Sequence, residues 1–254
     1  MKCLVLSAGG MFGAYQVGAW KVLHDVFQPD LIVGASIGAV NGWAMAGGCD
    51  PDELIRRWLG LDDAARPRWK LPHTIFGGFL DTQPLERAAR DVFDSFRPRV
   101  DCAVVVTDLL KLQPRIFRAQ EMSWRHLLAS TAVPLLFDSV RLEGRWYWDG
   151  GLLAAVPLWA AARLGATRAL VIDVLPVAPG MIAKAFVGAA RRLSSFRPVV
   201  PPELHVVRIA PPGLLGKPHE AILWNRANTL AWIQAGERDA AAMKHSIADC
   251  FERK

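Results

Sequence analysis

The sequence feature that most constrains the fold is an apolar run that ends at once in a turn of glycine and serine. Residues 31–33 are apolar and predict a buried strand, and the pentapeptide Gly34-Ala35-Ser36-Ile37-Gly38 follows with no gap. Residues 39–46 are mostly small or apolar and suit a helix that packs closely on a sheet. A strand, a sharp turn and a helix in this order are what a nucleophile elbow requires, with Ser36 at the reversal and glycines beside it. The alternative is a glycine-rich turn in which Ser36 only caps the helix.

A second glycine-rich loop follows the first predicted strand, at residues 2–6. The loop Gly9-Gly10-Met11-Phe12-Gly13 precedes a helix predicted from Ala14 to about Val26, so bare N–H groups lie at a helix N-terminus. A dinucleotide-binding loop needs G-x-G-x-x-G and an acid at the end of the next strand, whereas Asp30 begins that strand. The other use is an oxyanion hole for acyl transfer. Because a parallel βαβ unit brings the two strand ends together beside Ser36, we expect the oxyanion hole.

Predicted strands and helices alternate along the rest of the chain, which indicates an α/β fold with a largely parallel central sheet flanked by helices. Further strands are expected at residues 100–109, 115–118, 168–174 and 204–209, and a hairpin over 140–148 turning at Glu143-Gly144. Further helices are expected from Asp50-Pro51 to Leu59 and over 82–96, 123–132, 179–196 and 221–250. The hairpin delivers Asp149-Gly150-Gly151 into a loop, where the acid is either a turn residue or a positioned base.

Length and composition fit one globular domain over residues 1–254, since 52% of the residues are hydrophobic and 21% are charged. The four cysteines are far apart, and Cys3 and Cys102 lie in apolar runs, which favours buried thiols in a reducing compartment. With the histidines also scattered, we expect no metal and no cofactor. The N-terminal apolar run is too short for a signal peptide, and no stretch is long enough to span a membrane, so a cytoplasmic location is expected.

The formal net charge of +6 and the ten tryptophans favour an anionic partner. No basic helix or RNP-like pattern is present, so we expect a phospholipid surface and no nucleic acid. Residues 61–81 are either a long surface loop or a flap that borders the cleft and touches lipid. Residues 181–196, which carry Lys184, Arg191 and Arg192 and precede Arg197, are either a helix packed on the sheet or the face that docks on an anionic membrane.

Taken together, three motifs resemble the patatin-like phospholipase family, and the likeness runs from residue 4 to about residue 175. The stretch from Leu6 to Tyr15 is similar to the glycine-rich oxyanion segment of that family, and the pentapeptide, with Asn41-Gly42 behind it, resembles its nucleophile elbow. The block Asp149-Gly150-Gly151-Leu152 resembles its catalytic Asp-Gly-Gly block. Residues 107–109 and 129–134 show a weaker similarity to the same family. Each motif alone is weak, but all of them in this order are specific.

The resemblance implies a three-layer sandwich and a serine–aspartate dyad that hydrolyses esters of lipids. Ser36 would attack the ester carbonyl, Asp149 would take its proton, and the backbone of Gly9, Gly10 and Met11 would hold the oxyanion. A soluble esterase or acyltransferase on small acyl esters, and a decayed binding module, are the alternatives. If a histidine acts as the base instead, His126 is the first suspect.

Two departures from the family pattern lie in the glycine-rich loop. Ala8 replaces the first glycine, and Phe12 replaces the usual basic residue. A cation restored at position 12 is expected to lie beside the loop and to favour anionic esters over neutral ones.

Overall fold

An eight-stranded sheet lies at the centre of the protein in a computed structural model, which describes residues 1–61, 68–74, 76–175 and 188–252. The strands are β1 (Lys2–Leu6), β2 (Leu31–Ala35), β3 (Asp101–Asp108), β4 (Gln113–Arg118), β5 (Val140–Leu142), β6 (Arg145–Trp148), β7 (Arg168–Ile172) and β8 (His205–Ile209). Their order is β5-β6-β3-β2-β1-β7-β8, and β4 also pairs with β3. The pairings among β3, β2, β1, β7 and β8 are parallel, and those of β4, β5 and β6 are antiparallel. The predicted α/β class is therefore confirmed.

Helices connect these strands and cover the sheet. They are α1 (Ala14–Leu23), α2 (Ile37–Ala46), α3 (Pro51–Leu59), α4 (Gln83–Ser95), α5 (Trp124–Thr131), α6 (Leu158–Arg163), α7 (residues 188–193) and α8 (Arg226–Glu252), with 3-10 turns that include Gly10–Gly13 and Pro218–Ala221. The start of α3 follows from its sequence. The Asp50 carboxylate accepts hydrogen bonds from the N–H groups of Asp52 and Glu53 at 3.0 and 3.1 Å, and Pro51 occupies the first helical position.

The helices differ from the sequence prediction at several places. The last helix was expected from Ala221 but begins at Arg226, because the preceding residues form a separate 3-10 turn. Helix α6 was not predicted, since six residues are too few to show a helical period. Of the helix expected over 179–196, residues 179–187 lie outside the described residues, and the helix ends at residue 193.

Alternate residues of β1 serve two separate cores. Leu4 and Leu6 pack with α1, α2 and α8 on one face of the sheet, whereas Cys3 and Val5 pack with α6 on the other face. This follows from the two-residue period of a strand and produces three layers. In the parallel register, Leu6 pairs with Gly34 on β2 and with Ile172 on β7. The carboxyl ends of three neighbouring strands therefore meet, which is where open α/β sheets place their sites.

Within the described part of the chain, every helix is too short or too polar to cross a lipid bilayer.

Candidate active site

Ser36 occupies the single residue between β2 and α2 and has an unusual backbone conformation. Its φ of 55° and ψ of −129° lie in a region that side chains rarely adopt. The neighbouring glycines are required sterically, because a Cβ on Gly34 would stand 2.2 Å from the Gly38 carbonyl oxygen and a Cβ on Gly38 would stand 2.5 Å from the Leu6 carbonyl oxygen. The sharp strand–turn–helix reversal that the pentapeptide predicts is therefore present.

Ser130, on α5, holds the backbone of this turn. Its hydroxyl accepts a hydrogen bond from the Ser36 N–H at 2.8 Å and donates one to the Val105 carbonyl on β3 at 2.7 Å. Its own carbonyl accepts from the Gly150 N–H at 3.1 Å. One buried serine thus connects the elbow with the Asp149-Gly150-Gly151 loop. In the sequence, Ser130 was marked only by the weak similarity of residues 129–134 to the family.

Asp149 follows β6 and is fixed at its backbone and at one carboxylate oxygen. Its N–H donates to the Ala132 carbonyl at 2.9 Å, and its carbonyl accepts from the Thr107 hydroxyl at 2.8 Å. Carboxylate Oδ1 accepts the Gly151 N–H at 2.7 Å. Carboxylate Oδ2 is buried and makes no hydrogen bond of normal geometry with any described residue. An unpartnered buried oxygen is costly, so its position points to a chemical use.

The pKa of the Asp149 carboxyl is raised, which makes its carboxylate a stronger base. Burial raises the pKa of this carboxyl from 3.8 to about 6, although hydrogen bonding from the Ser36 side chain and from the Gly151 N–H opposes the rise. Ser36 and Asp149 are therefore neighbours. Because no bond of normal geometry reaches Oδ2, the Ser36 contact is long or poorly aligned, as catalytic hydrogen bonds often are before a substrate binds.

The glycine-rich loop presents unpaired backbone donors beside this pair. Among the described residues, the N–H groups of Gly9, Gly10 and Met11 have no hydrogen-bond acceptor. The N–H of Ile37, the first residue of α2, likewise has no acceptor within the described part of the chain. Sequence reasoning missed Ile37, although every helix leaves its first N–H groups free. Gly10 has a φ of 56°, and a Cβ there would stand 2.0 Å from the Ala221 carbonyl oxygen.

A narrow apolar cleft leads to Ser36. The space measures about 70 Å³, and Gly10, Met11, Ser36 and Ile37 form its polar end. The remaining lining is mostly apolar and comes from α4, from the end of α5 and the residues after it, and from the segment before α8: Pro84, Leu85, Thr131, Val133, Leu136, Phe137, Ala221 and Ile222. The cleft thus places an apolar wall next to a serine, an unpaired set of donors and a buried carboxylate.

A comparison with known families decides which group of proteins this arrangement represents. The sequence model described as Patatin-like phospholipase matches residues 4–162, well over half of the chain. The chain belongs to the patatin-like phospholipase family. The match covers the elbow, the glycine-rich loop and the Asp149 block together.

Individual relatives of this patatin-like protein are more distant. The uncharacterized protein YjjU of Escherichia coli is 30% identical over 189 residues, which are 68% of this chain and 52% of that protein. The human patatin-like phospholipase domain-containing protein 6 is 27% identical over 185 residues, 67% of this chain and 13% of the relative. The chain therefore spans about half the length of one relative and much less of the other. VipD from Legionella pneumophila has the same fold, with a TM-score of 0.52 at 14% identity over 96% of this chain and 67% of VipD.

Phe12 of this patatin-like protein does not face the cleft. Its side chain is 1% exposed and contacts Trp232 of α8 edge-to-face, with ring centroids 5.0 Å apart. The position of this side chain gives no support to the expectation that a cation at position 12 would favour anionic esters, because the side chain enters the core and does not line the cleft. The same core contact explains why an aromatic residue is accommodated here.

The alternative base, His126, has a different role in this patatin-like protein. Its Nδ1 accepts the Ser123 N–H at 3.0 Å at the start of α5, and its ring packs on the edge of Phe117 with centroids 4.6 Å apart. Burial lowers the pKa of His126. Its recorded contacts among the described residues include neither Ser36 nor Asp149, so this geometry gives no support to a triad.

Asp108 is a structural acid at the end of β3, and the cysteines match their sequence expectation. The Asp108 carboxylate accepts the N–H groups of Leu110 and Lys111 at 3.1 and 3.0 Å and pairs with Arg145 at 3.3 Å, as expected for a structural acid at a strand end. Cys3 and Cys102 are free, buried thiols.

Proposed function

We propose that this protein is a serine acyl hydrolase that cleaves carboxylic esters of lipids through an acyl-Ser36 intermediate, with Asp149 as the general base. The observation that carries the proposal is the unpartnered Oδ2 of buried Asp149 next to Ser36 on its positive-φ turn. Family membership supports the same activity.

In the acylation step, Ser36 Oγ forms a bond to the ester carbonyl carbon while its proton passes to Asp149 Oδ2. The carbonyl oxygen becomes an oxyanion, and the unpaired N–H groups of Gly9, Gly10 and Met11 are the donors available to it. When the tetrahedral intermediate collapses, the bond to the leaving oxygen breaks. The alcohol then takes the proton from Asp149, and the acyl group stays on Ser36.

In the deacylation step, a water molecule attacks the acyl-Ser36 carbonyl and gives a proton to Asp149. The second tetrahedral intermediate releases the acid and returns the proton to Ser36. A pKa of about 6 suits both steps, because Asp149 is ionised at neutral pH and is still a stronger base than an ordinary aspartate.

A patch of exposed apolar side chains beside the cleft supports a lipid surface as the source of substrate. We define the rim patch as Trp69, Leu71, Phe79 and Leu135, of which Trp69 is 80% and Leu71 is 79% exposed. The backbone segments that carry these side chains are adjacent, since the N–H of Lys70 donates to the Phe79 carbonyl at 2.9 Å and the N–H of Phe79 donates to the Leu135 carbonyl at 3.0 Å. Residues on both sides of Leu135 line the cleft. Exposed apolar patches of this kind mark sites that contact partners or membranes.

A small acyl ester is the second candidate substrate, and the size of the cleft favours it. A cavity of about 70 Å³ is far smaller than the roughly 300–1,000 Å³ of pockets that bury a drug-sized ligand. Turnover of one ester above and below its critical micelle concentration separates the two substrates. A lipid hydrolase gains activity on micelles, whereas a hydrolase of small esters does not.

The proposed function is tested by labelling and by substitution of the nucleophile. A fluorophosphonate probe should modify Ser36, as located by peptide mapping, and Ser36→Ala should abolish both labelling and hydrolysis of p-nitrophenyl butyrate. Ser246→Ala is the matched control, because Ser246 is exposed on α8 and donates only to the Met243 carbonyl. Full turnover by purified, folded Ser36→Ala would contradict the assignment. A parent protein with neither labelling nor turnover would instead indicate the decayed binding module.

A further inference from the structure

A buried chain of side-chain amides connects α1 with α2 behind the glycine-rich loop. Gln16 is 0% and Asn41 is 1% exposed. Asn41 Nδ2 donates to Gln16 Oε1 at 2.9 Å and to the Gly13 carbonyl at 3.0 Å. Gln16 Nε2 donates to the Ser7 carbonyl at 2.8 Å, and Trp58 Nε1 donates to Asn41 Oδ1 at 3.0 Å.

The groups at the two ends of this row of amides determine which amide atoms donate hydrogen bonds and which accept them. The indole N–H of Trp58 can only donate, so the oxygen of the Asn41 amide must face it. The carbonyls of Gly13 and Ser7 can only accept, so the amide nitrogens of Asn41 and Gln16 must face them. Every link is therefore satisfied in one orientation only, and the amides cannot rotate without leaving a buried polar group unpaired.

The two amides hold the glycine-rich loop at both of its ends. Gln16 binds the carbonyl of Ser7, where β1 ends, and Asn41 binds the carbonyl of Gly13, where α1 begins. The unpaired N–H groups of Gly9, Gly10 and Met11 lie between these two points. Asn41 also belongs to α2, the helix that begins directly after Ser36. The loop and the nucleophile are thus joined through one side chain.

We infer that Asn41 and Gln16 are positioning residues that hold the oxyanion donors of the loop at a set distance from Ser36. The inference rests on the proposed function, because it concerns the stabilisation of the oxyanion. Donors stabilise a transition state only when they lie about 3 Å from the position that the oxyanion will occupy, and a misplacement of about 1 Å costs roughly 100-fold in rate. Neither amide is among the residues that line the cleft. Their effect therefore falls on the transition state and not on substrate binding.

A structural role alone would also call for amides here, because the carbonyls of Ser7 and Gly13 and the indole N–H of Trp58 would otherwise be buried without partners. Stability therefore cannot distinguish the two roles, and the test compares kcat, KM and inhibitor binding with the melting temperature.

The test compares Asn41→Leu and Gln16→Met with the parent, using p-nitrophenyl butyrate as substrate and a trifluoromethyl ketone as inhibitor. With this inhibitor, Ser36 Oγ adds to the ketone carbon, the carbonyl oxygen becomes the oxyanion and the serine proton passes to Asp149. We expect kcat to fall by about 10- to 100-fold while KM stays within about twofold. The inhibition constant of the ketone should rise by the same factor as kcat falls, because both depend on the oxyanion donors.

Ile247→Ala is the control for a general loss of stability. Ile247 is fully buried in the last turns of α8, toward Phe251, which packs on Phe27 beyond the end of α1. The control should lower the melting temperature and leave kcat, KM and the inhibition constant unchanged below the melting transition. If Asn41→Leu does not fold, Gln16→Met and Trp58→Phe take its place in the test. Each of them removes fewer of the buried hydrogen bonds than Asn41→Leu does.

Two results would overturn the inference: folded variants that keep the parent kcat and inhibition constant, or variants whose losses follow their melting temperatures on the line set by the control. Ser36→Ala belongs in the same series. If parent turnover survives Ser36→Ala, the proposed function fails and the inference fails with it. If turnover depends on Ser36 but survives in both amide variants, only the inference fails.

Discussion

The hydroxyl of Ser130 accepts the backbone N–H of Ser36 at 2.8 Å and so ties the residue at the tip of the elbow to a helix 94 positions further along the chain. The same hydroxyl donates to Val105 on the central strand β3. The turn that carries Ser36 is therefore anchored to the rigid sheet and does not depend on its own short loop.

Ser130→Ala should slow hydrolysis and destabilise the protein. The change leaves the Ser36 N–H and the Val105 carbonyl buried without partners, which costs about 1–3 kcal/mol. Enzyme kinetics on a soluble ester and urea unfolding measure the two effects. Ser194→Ala is the matched control, because Ser194 also donates from a buried hydroxyl to a carbonyl, that of Leu112. Equal kcat values for the two variants would mean that Ser130 does not position the nucleophile.

Ser36→Gly should be inactive and more stable than Ser36→Ala. Both variants remove the hydroxyl, but alanine keeps the strain of a side chain at φ 55°, whereas glycine adopts this region freely. A strained residue of this kind costs about 1–3 kcal/mol. Thermal unfolding of the two variants measures the difference, and equal melting temperatures would show that the elbow stores no strain.

Asp149→Asn should abolish hydrolysis and stabilise the fold at neutral pH. Because the folded-state pKa of about 6 lies above the unfolded value of 3.8, the contribution of Asp149 to stability is fully present below pH 3.8 and is lost as the pH rises through 6. A shift of two units corresponds to about 3 kcal/mol. The gain from asparagine should therefore reach up to about 3 kcal/mol at pH 8 and vanish near pH 4, as measured by denaturant unfolding at each pH.

Asp138→Asn gives the contrasting control. Burial alone would raise the pKa of Asp138, but hydrogen bonds from Lys70, Gly78 and Thr82 outweigh it and lower the pKa. This substitution should therefore destabilise the protein at neutral pH.

In the parent, kcat/KM should fall as the pH drops below about 6, since protonated Asp149 cannot accept the serine proton. A rate that stays constant down to pH 4 would exclude Asp149 as the base.

Phe12→Arg should destabilise the protein strongly and should not change its preference for anionic esters. The guanidinium would replace a fully buried ring that packs on Trp232, and taking its charge out of water is costly. Phe12→Leu is the matched control and should cost far less, because it keeps the site apolar. A soluble Phe12→Arg variant with the parent melting temperature would show that the side chain can leave the core.

Binding to lipid vesicles should depend on the rim patch. The double variant Trp69→Ala, Leu71→Ala should lose binding to phosphatidylcholine vesicles at any salt concentration, because apolar insertion is not screened. The triple variant Arg191→Gln, Arg192→Gln, Arg197→Gln tests the basic face that the sequence suggests. Its loss should be confined to anionic phosphatidylglycerol vesicles at low salt, where each cation contributes about 1 kcal/mol.

Two of these arginines already bind backbone carbonyls. Arg191 Nε donates to Leu153 at 2.9 Å, and Arg197 donates to Ser194 and Phe196 at 2.8 Å, while Lys184 lies outside the described residues. The rim patch is therefore the stronger candidate. Both vesicle experiments need turnover of a soluble ester as a control, which should stay unchanged. Parent-level binding to phosphatidylcholine by the double variant would exclude the rim patch.

Short-range sequence signals, such as helix caps and turn residues, predicted much of the fold. Asp50 and Pro51 mark the start of α3, and Glu143-Gly144, with φ values of 47° and 80°, forms the predicted hairpin turn between β5 and β6. These features depend on a few neighbouring residues and can be read directly from their types. Helix α6 was missed, because a stretch so short carries little periodicity.

The arrangement of the site depends on distant pairings that no local pattern encodes. Ser130 and Ser36 are 94 residues apart, and Trp58 and Asn41 are 17 apart on different helices. The orientation of the Phe12 side chain also could not be predicted from the sequence, because it depends on where α8 packs. The roles of Ser36, Asp149 and the glycine-rich loop remain predictions until the variants above are measured.

The cleft is formed by two parts of the chain, one of which is the segment before α8. Ala221 and Ile222 line the cleft, and the Trp224 indole N–H bonds to the Trp58 carbonyl at 3.2 Å, yet the family match ends at residue 162. One stretch of the chain therefore carries the serine and the carboxylate, and another shapes the entrance to them. The part of the chain that the family model matches therefore does not by itself determine the shape of the entrance beside Ser36.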